Sequence, residues 1–147
     1  MEKFIISNAR KLNNFGHRIE LNKNFTLHTD KKPDLLTKGK EKYLFFGKIN
    51  GFFEKNKFIR LDNFRLKKHI KLLINNKNNF DGNYFFLKIK NQTIELNIDN
   101  KGLYDVFYSN KKNKICFSNS LLLIKDQLNS KLTLDNFSVL TALNSIS

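Results

Sequence analysis

One thiol and three imidazoles are the side chains of this chain best suited to covalent chemistry or metal ligation: Cys116, His17, His28 and His69. A Cys beside a His would make an activated nucleophile, and three or four such ligands at close spacing would hold zinc. Neither pattern is present. The histidines are scattered and nothing in their spacing brings one to Cys116. Ile115 and Phe117 flank the thiol, which predicts a buried strand position and a core role. The six glycines are isolated, so no glycine-rich loop cradles a phosphate. No metal and no cofactor are expected.

The elements that would position these residues are mostly short strands. Tyr84 to Lys90 and Thr93 to Ile98 are joined at Asn91-Gln92, the two-residue spacing of a tight hairpin. Asn100-Lys101-Gly102 predicts the next turn and Asn110 to Asn113 the one after. Upstream, Lys3 to Ser7 reads as a strand, and Ile19, Leu21, Phe25 and Leu27 alternate around Asn22-Lys23-Asn24 as a hairpin would. Thr29 to Lys42 is polar and predicts a loop. Tyr43 to Phe53 predicts a strand that turns at Glu54 to Lys57 into Phe58 to Arg60. Leu66, Ile70, Leu73 and Ile74 have helical spacing, with Asp62 placed to cap the helix and Asn75 to Asn79 to end it. Ser120 to Asn129 predicts a second helix and Asp135 to Leu143 a third. Tyr84 to Leu87 is apolar on both faces, as expected of a sheet covered on both sides. Strand rows with helices between and after them predict an α+β fold.

Size and composition set the outer bounds. The chain has 147 residues, fifteen of them Phe, and is read as one domain with a sizeable core. The longest uninterrupted apolar run is Leu121 to Ile124, far short of a membrane span, and Met1 to Lys11 lacks the apolar core of a secretory signal. One cysteine excludes an internal disulfide and suits a reducing compartment, so a cytoplasmic protein with no membrane partner is expected. The net charge of +14 raises the question of nucleic acid. Lys outnumbers Arg 23 to 4, although Arg is the better fork for phosphates and base edges. The lysines are spread as singles and pairs, and Lys, Asn, Ile and Phe rise together as in an AT-biased genome. A solvated, solubilising surface is expected, and a nucleic-acid partner is not.

The strand row resembles the glutaminase-type N-terminal domain of asparagine synthase and its relatives. The residues that carry the resemblance are Gly82, Phe85, Asp99, Gly102, Leu103, Val106, Phe107, Tyr108, Phe117 and Ser118. It covers Tyr43 to Leu143 well and Met1 to Lys42 poorly. It implies an Ntn-hydrolase-like, four-layer α/β/β/α sandwich of two mainly antiparallel sheets flanked by helices. In the family an N-terminal Cys, exposed by removal of Met, attacks glutamine with its own α-amino group as base. Glu2 stands at that place here, and a carboxylate cannot inherit the role. The family's Asn-Gly-Glu-Ile-x-Asn strand, which helps to form the oxyanion hole and bind glutamine, is matched by Phe46-Gly47-Lys48-Ile49-Asn50. Gly47 and Ile49 keep the skeleton, with Asn50 one place short of the motif's last Asn; Phe46 replaces the amide donor, and Lys48 reverses the charge of the Glu. Loss of one oxyanion donor alone removes about 3 kcal/mol of transition-state stabilisation. Asp62 is placed where the family binds the glutamine amino group, and a helix cap is the plain alternative. Lys32-Pro33-Asp34 matches the family's Arg-Gly-Pro-Asp only faintly. The Ser-Gly-Gly-x-Asp-Ser loop of the family's ATP-dependent half is absent.

The resemblance therefore implies a degenerate glutaminase-like domain with no catalytic residue. Its remnant pocket positions are Phe46, Gly47, Lys48, Asn50 and Asp62. Its expected role is to support an ATP-dependent, amide-forming synthetase, either continuing beyond Ser147 or docking as a separate partner. Two alternatives come from other classes: an active amidotransferase that releases ammonia from glutamine, and a basic module that stacks Phe or Tyr on single-stranded nucleic acid.

Overall fold

The computed structural model describes residues 2–8, 15–75, 79–99 and 105–129, and the backbone of 138–139. These residues fall into two compact units, one drawn from Met1–Lys32 and Asp105–Thr141, the other from Pro33–Tyr104.

The first unit holds a six-stranded antiparallel sheet. Its strands are β1 (Phe4–Ser7), β2 (His17–Glu20), β3 (Thr26–Thr29), β9 (Phe107–Lys111), β10 (Lys114–Ser118) and β11 (Ser138–Val139), in the order β11-β9-β10-β1-β3-β2. The β2–β3 hairpin forms as its alternation predicts, with Ile19 opposite Leu27 and the Asn22 side chain accepting from the backbone N–H of Asn24 and Phe25. β9 and β10 close on Lys112-Asn113, both with positive φ. Helix α2 (Leu121–Leu128) lies on β9 and β10, where Ile124 and Leu128 pack with Ile5 and Cys116. It stops at Asn129, whose left-handed φ of 52° lets its N–H turn back on the last carbonyls.

The second unit is built on one long strand. β5 (Glu41–Glu54) pairs along one edge with β7 (Phe80–Lys90); along the other it pairs first with β4 (Asp34–Lys38) and then with β6 (Lys57–Arg60). β8 (Thr93–Ile98) extends the sheet beyond β7, through the predicted turn at Asn91-Gln92. Helix α1 (Leu66–Asn75) turns Leu66, Ile70 and Leu73 onto Tyr43, Phe45, Ile49, Phe52, Phe80, Tyr84 and Phe86. Phe46, Phe85, Leu44 and Leu87, on the alternate positions, are buried as well.

Three expectations are corrected. The four-layer α/β/β/α sandwich does not describe this chain, which is mainly two antiparallel sheets with only two helices among the described residues. The helices have ten and eight residues. Each is therefore about 12–15 Å long and about 10 Å wide, enough to cover two or three strands spaced about 4.8 Å apart but not to form a layer. The third helix expected over Asp135 to Leu143 is a strand where it is described, Ser138–Val139 pairing with Phe107 and Tyr108. Finally, the polar stretch read as a loop contains β4, an edge strand with most positions exposed. An edge strand wet on both faces has no apolar alternation to reveal it. The predicted turn at Asn100-Lys101-Gly102, with Leu103 after it, lies outside the described residues.

Candidate functional site

The five positions singled out from the sequence all belong to the second unit, and the structure separates them by burial. Phe46 is 2% exposed and packs its ring on Phe85, its partner across the ladder, with centroids 5.6 Å apart. It is a core residue. Gly47 has φ of 93°, and a Cβ there would lie 2.2 Å from the carbonyl oxygen of Asn83. Gly82 is pinched in the same way, since its Cβ would lie 2.3 Å from the carbonyl oxygen of Lys48. The backbones of β5 and β7 thus approach too closely here for any side chain. A register shift between Ile49 and Gly51 follows at once.

Around that bulge the polar residues reach solvent. Lys48 is exposed opposite Asn83. Asn50 donates through Nδ2 to the Asp81 carboxylate (3.3 Å), and its carbonyl accepts the Leu61 N–H (2.8 Å). That bond brings Asp62 to the edge of the same surface, where its carboxylate pairs with Arg60 at 3.1 Å. Asp62 does not cap α1, which begins four residues later. At the helix start it is instead His69 whose Nδ1 lies 3.0 Å from both the backbone N and O of Arg65. Lys48 and Asn50 therefore emerge at the β5 bulge, with Asp62 following Leu61 at its edge, whereas Phe46, on the same side of the ladder as Lys48, is buried.

The residues suited to nucleophilic chemistry lie in the first unit. Glu2 pairs with Lys31 at 2.7 Å, its carbonyl accepts from the Asn119 amide, and the N–H groups of Lys3 and Phe4 donate to Asp30 and Asn119. The chain start is thereby tied to the ends of β3 and β10. Cys116 is fully buried, and burial pushes its thiol up to about 11. A thiol so displaced carries almost no thiolate near neutral pH. His28 is buried against Phe15; burial lowers its pKa and the Arg18 charge adds to this. Its rung on β1 is that of Ile5, whereas Cys116 faces Ser7, so a strand and a rung separate the two. Among the described residues no group of three His, Cys, Asp or Glu is placed to hold a metal ion.

At the far end of the second sheet a cavity of about 220 Å³ is lined by Lys88, Lys90, Asn91, Thr93 and Glu95. Its charges are answered locally. Glu41 lies 3.8 Å from Lys88 and 3.4 Å from Lys90. The Tyr43 hydroxyl donates to Glu41 and, with those lysines, holds its carboxyl below the usual range.

The sequence reading missed a feature beside the bulge. Phe53 and Phe58 read as ordinary strand residues, yet they are 48% and 47% exposed. The signal was available. Phe52 takes the face covered by α1, so its neighbour Phe53 must take the other, and the two-residue turn places Phe58 opposite it.

No family model, curated protein or solved structure matches this chain. No helix among the described residues is long and apolar enough to cross a membrane.

Proposed function

We propose that the chain is a catalytically silent, glutaminase-like domain related to the asparagine synthase family. Its role is to support or dock an ATP-dependent, amide-forming synthetase, in the same polypeptide or as a separate partner. The observation that carries this reading is the strand segment set against the family's glutamine-binding motif: Phe46 is core, Lys48 is a solvated cation, and the Asn50 amide is bonded to Asp81. Glu2, which the resemblance sets against the family's nucleophile, has its carboxylate engaged by Lys31. The lone buried thiol suits a reducing compartment, and we place the protein in the cytoplasm.

Two measurements test the reading. Purified protein incubated with glutamine releases no more ammonia than a heat-killed control; turnover that persists through repurification would establish the active amidotransferase instead. Sedimentation and pull-down with the adjacent gene product should give a defined complex. A strictly monomeric chain that engages neither a synthetase partner nor a downstream synthetase domain would overturn the docking role.

A further inference from the structure

We infer that the β5–β6 hairpin is a stacking platform for single-stranded nucleic acid, centred on Phe53 and Phe58. Among the described phenylalanines, these two alone are close to half exposed, and they face each other on one rung of the ladder. Their rings are 5.2 Å apart and tilted by 54°. The Phe58 ring is seated over Gly51, where a Cβ would come within 2.5 Å of its Cζ. The missing side chain at Gly51 lets the ring lie down on the sheet, leaving the pair fixed and partly open to solvent.

Charge surrounds the pair. The ladder puts Lys48, Gly51 and Arg60 on the same face as the rings, Lys55 stands in the turn, and Lys57 follows it on the opposite face. Arg60 is held by Asp62, and Lys57 has Glu54 as its cross-strand neighbour. Lys48, Lys55 and Lys57 make no ion pair among the described residues. Two cations without an ion pair, Lys48 on the ring face and Lys55 at the turn, thus stand beside two rings, with the Asp81 carboxylate opposite Gly51 taken up by the Asn50 amide, in a chain of net charge +14. Phosphates satisfy the lysines while bases stack on the rings.

Size and shape decide between occupants. Half-exposed, the two rings offer roughly 200 Å² together. That is well short of the ~800 Å² per partner of a stable protein interface, and it suits one or two bases. A hairpin that enters a membrane would carry its apolar residues at the apex. Here the apex is Lys55-Asn56, both with positive φ and both exposed, and the rings lie behind it on the sheet face. This inference stands apart from the proposed docking role: it uses a different surface property and is read by a different assay.

The test is fluorescence anisotropy of the full chain with a labelled oligouridine of about twelve nucleotides, long enough for a single site. Affinity should fall with salt between about 50 and 200 mM with a logarithmic slope of about −1.4, from two phosphates at about −0.7 each. The double variant Phe53→Leu/Phe58→Leu keeps apolar bulk and loses the ring faces, and should weaken binding about tenfold or more. The chain has no Trp, so Phe53→Trp introduces a single Trp whose selectively excited emission bound bases should quench. Three results would overturn the inference: no binding at about 50 mM salt, binding that the Leu variant leaves unchanged, or Phe-dependent binding to anionic phosphatidylserine vesicles without binding to the oligonucleotide. The second would make the binding merely electrostatic.

Discussion

Three glycine-to-alanine substitutions separate two costs that the β5 bulge combines. At Gly39 φ is 60° and nothing lies within 4 Å of the point a Cβ would occupy, so Gly39→Ala meets only the left-handed backbone cost, about 1 kcal/mol. At Gly82 φ is ordinary, but a Cβ would fall 2.3 Å from one backbone atom of β5 and 2.8 Å from another. Flexible side chains could yield; a carbonyl oxygen and a Cα in the middle of a ladder cannot move alone. Gly82→Ala should cost about 2 kcal/mol, of the order of overpacking or of a strained ladder hydrogen bond or two. Gly47→Ala meets both terms, with φ of 93° and contacts of 2.2 and 2.9 Å to β7 backbone, and should cost about 3–4 kcal/mol. Urea unfolding followed by circular dichroism reads the series. Midpoints should fall in the order Gly39→Ala, Gly82→Ala, Gly47→Ala at constant slope, with melting temperatures lower by about 2–4 °C per kcal/mol. Equal losses at Gly39 and Gly47, or a neutral Gly82→Ala, would refute the close approach of β5 and β7.

Two further outcomes follow from burial. Leu73→Ala, within the α1 cluster at 1% exposure, should cost about 2–5 kcal/mol, whereas Leu122→Ala, 65% exposed on α2, should stay within about 0.5 kcal/mol in the same unfolding assay. Cys116 is raised from 9.0 to about 11, and Tyr84, raised chiefly by burial, goes from 10.0 to about 12. The folded chain therefore holds these protons after the unfolded chain has released them. Their contribution to stability is complete below pH 9 and is lost as pH rises through 11 for Cys116 and 12 for Tyr84. Urea midpoints between pH 8 and 11 should decline, and Cys116→Ala should flatten the early part of that decline.

What the sequence made legible was whatever one element could decide by itself. The Asn91-Gln92 hairpin, the Phe58 return strand and the face of α1 all follow from turn chemistry and periodicity within about a dozen residues. What stayed hidden depended on partners far away in sequence. β4 is a strand because Leu44 and Phe45 offer an open edge to Leu35 and Asp34, and Ser138–Val139 is a strand because β9 does the same. Neither segment has the alternation that signals a half-buried strand. The fold class failed for a related reason: the number of helices is a sum of such local decisions, and a likeness of strand order does not fix it.

The candidate site follows the same division, and Phe46 and Lys48 show how. They sit two apart on β5, on the same side of the ladder, so alternation alone would give them one environment. One is 2% exposed and the other is solvated. The change happens across Gly47, where β5 and β7 close to a separation that admits no side chain and the register then slips by a residue. Beyond that point the face that buries Phe46 is open, and it is there that Lys48, Phe53, Phe58 and Arg60 emerge. On this face the pinch at Gly47 and Gly82 thus marks the boundary between buried and exposed positions, while Phe52 and Phe80 beyond it keep the opposite face in the core. A substitution that relaxed the pinch would be expected to disturb the ring platform even without touching Phe53 or Phe58.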